Sequence, residues 1–253
     1  LNETITHLKP LTEKFRIVLT HGNGPQVGNL LIQQEKSRSE IPEMPLDTLD
    51  AMTQGQVGYW VEQSVENILK RNAVTIITRV EVDERDPAFA NPTKPVGPYY
   101  DEKWFAHMIK TDRGYRRLVP SPKPVSIVDI EEIESLVERD FVVIACGGGG
   151  IPVVCREGLF YGVEAVIDKD YSSAKLANYL KASHIFFLTD VPTVYRDFGK
   201  PGQTPIRKMT VKEAQSLVAS GEFGEGSMKP KVEAGIDFLI NGGKRAVITS
   251  VDE

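Results

Sequence analysis

Arg16-Ile17-Val18-Leu19-Thr20-His21-Gly22-Asn23-Gly24-Pro25-Gln26-Val27-Gly28 runs from a strand-like segment through a glycine-rich turn into a helix start. Three glycines at a strand end fit a backbone that needs positive φ or comes close to another group, often a ligand. Pro25 presets a φ suited to a first helical turn, so residues 26–34 read as helix. Strand, glycine loop and helix N-terminus together aim free N–H groups and the positive end of a helix dipole at one point. Such a point favours an anion.

Working outward, residues 16–20, 74–78, 141–145, 185–189 and 245–250 are short runs rich in β-branched and aromatic residues. Apolar on both faces, they read as buried parallel strands. Between them, Val57, Trp60, Val61, Val65, Ile68 and Leu69 recur at helical spacing, as do Ile130, Ile133, Leu136 and Val137. Each stripe reads as a face packed on the sheet rather than as a site. Strands alternating with helices give an α/β class: a three-layer α/β/α open sandwich around a mainly parallel sheet, with ligands beyond the carboxyl ends of the strands. The proline-rich stretch from Asn91 to Pro124 is too long for a plain connection and reads either as a small excursion over the strand ends or as an ordinary surface loop.

Composition narrows the function. With 253 residues and 41% hydrophobic content the chain can bury a large core. A net charge of −5 gives no basic field for nucleic acid, and small anions remain open as ligands. No apolar run approaches the ~20 residues that cross a bilayer, so no membrane role and a cytoplasmic location are expected. The two cysteines, Cys146 and Cys155, form no CxxC pair, and no HExxH or GxSxG pattern occurs. The chain starts on Leu1 in a helix-like segment, where sheets of this type usually start with a strand. The joins at residues 70–73 and 110–113 are also abrupt, and residues missing at all three places are an expectation of this reading.

A second glycine cluster, Gly147-Gly148-Gly149-Gly150, follows the third strand. Gly22-x-Gly24-x-x-x-Gly28 alone also resembles a variant dinucleotide fingerprint, but that reading wants an acidic residue at the end of the next strand. Asp47 and Asp50 lie instead near Pro45, in a loop and at a helix start. There is no Walker A motif. Three lysines stand in irregular turns: Lys94 between Thr93 and Pro95, Lys169 in Val166-Ile-Asp-Lys-Asp170, and Lys231 after Gly226-Ser-Met-Lys-Pro230. Lysines mostly sit in water, and that plain reading applies to each alone. Together with glycine-loop N–H groups they suit phosphoryl transfer, which needs cations on the moving group and little covalent work. Asp170 could hold two lysines in register, while Asp168 is equally suited to capping the helix that follows.

In this order, HGNGPQVG, DPAFANPTKPVGPYY, RGYRRLVPSP, GGGGIPV, GVEAVIDKD, LTDV and GSMKPKVEA closely resemble the carbamate kinases of the amino acid kinase family. The resemblance implies reversible phosphoryl transfer between ATP and carbamate, giving ADP and carbamoyl phosphate, with Mg²⁺ and in a homodimer. It implies one domain over residues 1–253. Residues 1–150, with a protruding subdomain at about 92–124, would form the carbamoyl phosphate side, and residues 151–253 the nucleotide side. By the same resemblance Lys94, Lys169, Asp170 and Lys231 are catalytic. Gly22, Asn23, Gly148 and Gly149 hold the substrate, and Thr189, Asp190, Val191, Tyr195, Ser227 and Met228 hold the nucleotide.

Three departures accompany the likeness. The family opens with a strand and a Gly-Gly-Asn loop not found here, Lys229 adds a charge at a variable position, and Tyr171 follows Asp170 where a smaller aliphatic residue is common. Two other readings stay open at this point: a family kinase for another small acid or for phosphate, and a nucleotide-binding regulator without catalysis. The direction of the reaction also stays open, either ATP generation in arginine metabolism or carbamoyl phosphate synthesis.

Overall fold

The computed structural model describes residues 1–223 and 227–251. Two compact units divide the chain, Leu1–Ser172 and Ser173–Glu253. In the first unit the elements are α1 (Asn2–His7), α2 (Lys9–Thr12), β1 (Val18–Leu19), α3 (Gly24–Ser37), α4 (Leu46–Leu69), β2 (Ala73–Thr75) and β3 (Arg79–Val82). There follow α5 (Pro87–Ala90), β4 (Lys94–Tyr100), β5 (Met108–Thr111), β6 (Gly114–Val119), β7 (Pro124–Ile127), α6 (Ile130–Glu138) and β8 (Val142–Ile144). Next come β9 (Ile151–Arg156), β10 (Leu159–Gly162) and α7 (Lys169–Tyr179), which runs on into the second unit. That unit continues with β11 (His184–Leu188), β12 (Val194–Arg196), β13 (Thr204–Ile206), α8 (Val211–Ala219), α9 (Met228–Ile240) and β14 (Arg245–Thr249).

The five strands expected from the sequence are present, and those that pair with one another do so in parallel. β8 lies between β1 and β2, with Val143 opposite both Val18 and Val74. In the second unit β11 runs parallel to β14 from His184↔Arg245 to Leu188↔Thr249. A further sheet in the order β10-β9-β3-β7 pairs β3 with β9 in parallel and is antiparallel at its edges. Helices carry the apolar side of these ladders: Ile5, Val61, Val65 and Leu69 pack with Val142 and Ile144.

Three expectations are corrected. The strand expected at 74–78 ends at Thr75, because Thr78 turns away to bond with Gln54 and Cys146. Trp60 is 41% exposed, since the buried face of α4 runs through Gly58, Val61, Val65 and Leu69. β11 buries only Ile185 and Phe187, while Phe186 and Leu188 on its other face are exposed.

Residues 94–119 form an antiparallel sheet, β4-β6-β5, and not an irregular loop. Its inner residues Val96 and Val119 pack with Val27 and Leu31 of α3 and with Leu46 and Leu49 of α4. At the two abrupt joins the chain connects directly. Lys70 ends α4 in the left-handed conformation at φ 55°, and Thr111 faces Gly114 across a two-residue turn.

α4 approaches β2 so closely at Gly58 that a Cβ there would overlap the Thr75 side chain. Overpacking costs ~1–3 kcal/mol and Ala returns ~0.5–1 in helix propensity. Gly58→Ala is therefore expected to destabilise the protein by about 1–2 kcal/mol in urea unfolding. Unchanged or raised stability would contradict this packing.

Candidate active site

The loop after β1 ends in Asn23, which occupies the N-cap of α3 with Pro25 in the first turn. Its side-chain amide donates to Asp50 Oδ1 at 3.0 Å and to Thr53 Oγ1 at 2.9 Å, both on α4. The loop after β8 is a short 3₁₀ turn, Gly147–Gly149. Gly148 N–H donates to the His21 carbonyl at 2.8 Å, so the two loops touch. Gly148 has φ 69° and lies under the Asn23 carboxamide, while Gly149 has φ 105° against the Ile167 carbonyl. In both places a Cβ would collide as well as strain the backbone.

Gln54 joins this pair of loops to a third strand end. Its Nε2 donates to the Thr78 carbonyl at 3.2 Å and to the Gly147 carbonyl at 3.1 Å, and its Oε1 accepts Thr78 N–H at 2.7 Å. Asp50, Thr53 and Gln54 are 3%, 0% and 1% exposed, which makes them a buried polar stretch on one helix. His21 packs its ring edge against Gly147, and its Nδ1 lies 3.1 Å from the Gly22 carbonyl. Burial pushes the His21 imidazole below its usual range, only partly offset by that backbone contact.

Two lysines reach this floor. The Lys169 side chain passes over Gly22, where a Cβ would stand 3.6 Å from its Cδ and Cε, and its Nζ pairs with Asp170 Oδ1 at 2.9 Å. Lys94, at the start of β4, pairs with Asp168 Oδ2 at 2.7 Å. The other Asp168 oxygen accepts Asp170 N–H at 3.0 Å, so Asp168 is a helix cap and a lysine partner at once. Burial raises the Asp168 carboxyl, but Lys94, the Asp170 N–H and the charge of Lys169 together outweigh it and hold Asp168 below its usual range. Six of the expected residues, Gly22, Asn23, Lys94, Gly148, Lys169 and Asp170, thus belong to one connected arrangement, and Gly149 joins it by accepting the Ser172 hydroxyl at 2.6 Å. Tyr171 is accommodated under Lys123, whose Nζ lies 3.2 Å from the ring centroid.

In the second unit, Thr189 extends the β11 ladder by donating to the Thr249 carbonyl, and Asp190 and Val191 follow in irregular chain. Tyr195 lies on β12 beside Phe198. Ser227 is the N-cap of α9 and Met228 its first residue, packed against the cluster of Val194, Ala214 and Val232. Lys231 is only 5% exposed, with Nζ 3.5 Å from the Ser227 carbonyl. Gly226, which opens that motif, is outside the described residues.

Asp50, Thr53, Gln54 and Thr78 are the members that sequence reasoning passed over. A signal for three of them existed: residues 50, 53 and 54 continue the spacing of the apolar stripe toward the helix N-terminus, where polar residues are unexpected.

Burial pushes Asp50 up to about 8, against the Asn23 hydrogen bond and with the help of Asp47 and Glu164. Glu164 is itself paired with Arg117 at 3.0 Å. With the folded value above the unfolded one, the native state holds the extra proton. The contribution of this group to stability is then full below about pH 4 and is lost as pH rises through about 8. Asp50→Asn is expected to flatten the fall in Tm from about pH 5 to about pH 9, measured by calorimetry. An unchanged slope would rule out Asp50 as its source.

A family model described as the amino acid kinase family matches residues 1–250. Carbamate kinase 2 of Staphylococcus aureus (strain bovine RF122 / ET3-1) is 46% identical over 271 aligned positions, covering all of this chain and 87% of the relative. Among solved structures, the carbamate kinase of Giardia lamblia bound to AMP-PNP superposes with a TM-score of 0.91 at 36% identity, over 99% of this chain and 84% of that one. A crystal structure from Aeropyrum pernix K1 also gives 0.91, at 41% identity and over 99% and 85% of the two chains.

Proposed function

The chain belongs to the amino acid kinase family, and from that premise we propose that it transfers a phosphoryl group reversibly between ATP and carbamate, giving ADP and carbamoyl phosphate. The observation that carries this reading is the Lys169 side chain lying over Gly22 beside two glycine loops, in a chain so closely similar to carbamate kinases along its whole length. Lys169 and the N–H groups of the loop at residues 22–24 neutralise the three equatorial oxygens of the moving group, and Lys94 serves the carbamoyl end. Asp170 and Asp168 keep the two amines apart and aimed. Carbamate oxygen and the ADP β-phosphate exchange the group in line, and no side chain is phosphorylated. Electrostatic positioning supplies most of the rate in such transfers.

Lys231, Thr189, Asp190, Val191, Tyr195, Ser227 and Met228 serve the nucleotide in this proposal. Lys231 at the start of α9 combines a cation with the positive end of a helix, a combination suited to phosphate. Among the described residues no three His, Cys, Asp or Glu side chains gather as a metal site. Asp168 and Asp170 are engaged by lysines, so Mg²⁺ enters this proposal on the nucleotide's phosphate oxygens, its common mode. Mg²⁺ there would spread the charge of the polyphosphate. Among the described residues no helix is long and apolar enough to cross a membrane. The proposal places the protein in the cytoplasm as a homodimer, with ATP generation in arginine metabolism as one direction of use.

Wild-type protein with ADP, Mg²⁺ and carbamoyl phosphate is expected to form ATP, followed through hexokinase. Lys169→Ala should lose about 10²–10³ in kcat, the scale for one electrostatic contact to a transition state, with an unchanged circular dichroism spectrum. Undiminished turnover in that variant would remove Lys169 from the mechanism. A wild type that binds ADP but forms no ATP would point to another acid substrate.

A further inference from the structure

The buried stretch on α4 does more than fill space, because the hydrogen-bond directions at Asn23 are fully determined. Thr53 commits its own proton to the Asp50 carbonyl at 2.8 Å, so toward Asn23 its oxygen can only accept. The Asn23 amide nitrogen must therefore face α4, where its second hydrogen goes to Asp50 Oδ1. This holds the carboxamide over Gly148, at a spacing that a Cβ on Gly148 would destroy. Remove the Asp50 acceptor and one of the two bonds that fix the amide is gone. The loop carrying Gly22 and the loop carrying Gly148 then lose the wedge that sets their separation.

A carboxyl group at this depth is costly, and a leucine of similar size would suit the neighbouring Leu46 and Leu49 better. We propose that Asp50 is a positioning residue for the carbamoyl phosphate end of the site, acting through the Asn23 carboxamide on the spacing of the two glycine loops. The inference rests on the phosphoryl-transfer reading above. It adds a residue that touches neither substrate. The charged groups around Asp50 are Asp47 on its own helix and Glu164 from the chain before α7, with Arg117 of β6 bound to Glu164. None of these offers Asn23 a replacement acceptor in the structure.

The test is steady-state kinetics of ATP formation in Asp50→Leu, Asp50→Asn and Asn23→Ala, alone and combined. Asp50→Leu should raise KM for carbamoyl phosphate about tenfold, the equivalent of one lost hydrogen bond, and leave KM for ADP unmoved. Asp50→Asn keeps an acceptor and should bring KM back toward the wild-type value. In the Asn23→Ala background Asp50→Leu should add nothing. Equal rises in both KM values, no rescue by Asp50→Asn, or additive effects with Asn23→Ala would each overturn the positioning role. If Asp50→Leu does not fold, the Asp50→Asn and Asn23→Ala pair decides: an Asp50→Asn enzyme as impaired as Asn23→Ala overturns it. A wild type that forms no ATP would overturn the function itself and this inference with it, whereas an active wild type with an unaltered Asp50→Leu overturns the inference alone.

Discussion

Gln54 bonds the Thr78 backbone in both directions and the Gly147 carbonyl as well, and these three bonds hold the ends of separate strands to one helix. A parallel sheet aligns its strands but leaves the loops beyond their carboxyl ends undetermined. Those loops are where glycines allow close approach, and for the same reason they resist ordering. α4 supplies what the sheet lacks. Asp50 and Thr53 orient Asn23, Gln54 fixes Thr78 and Gly147, and Cys146 N–H closes on the Thr78 hydroxyl at 3.0 Å. Asp50, Thr53, Gln54 and Thr78 each find a partner, the condition under which a buried network stiffens a structure instead of weakening it.

On this floor the charges are arranged by short-range pairing. Lys94 and Lys169 each have a carboxylate partner, and the peptide N–H of Asp170 links the two pairs through Asp168. Lys94 and Lys169 are 42% and 37% exposed while their partners are largely buried, so the anions act as anchors for the amines. The β4-β6-β5 sheet carries Lys94 to this place. It is held there by Val96 and Val119 in the core and by Arg117 with Glu164, which also accepts the first N–H of α4. Glu164 thereby ties the position of Lys94 to the helix that orders the loops.

Much of this was legible in the sequence because it is local. A strand, a glycine turn and Pro25 fall within thirteen residues, and the lysines at 94 and 169 stand next to prolines or acids that mark irregular chain. The close resemblance of ordered motifs to one family added the roles. What the sequence hid depends on distance along the chain. Asn23 finds Asp50 and Thr53, and Gln54 finds Gly147, only after folding. A polar trio on a helix is ordinarily assigned to solvent, and only its phase with Val61 and Val65 hints otherwise. The exposure of Trp60 has the same origin, since spacing gives a stripe but not its exact edges. The proline-rich stretch concealed three strands because its alternation is short and broken by the bulge between Val96 and Tyr100.

The proposed mechanism is a direct transfer of the phosphoryl group between nucleotide and carbamate, driven by positioned cations and N–H groups with no phosphorylated side chain. Isotope exchange between labelled ADP and ATP tests it most directly, run in buffer free of ammonia and bicarbonate and again with carbamoyl phosphate added. Direct transfer gives exchange only when carbamoyl phosphate is present. Exchange in its absence would demand a covalent phosphoenzyme, and no exchange in its presence would contradict the assigned reaction.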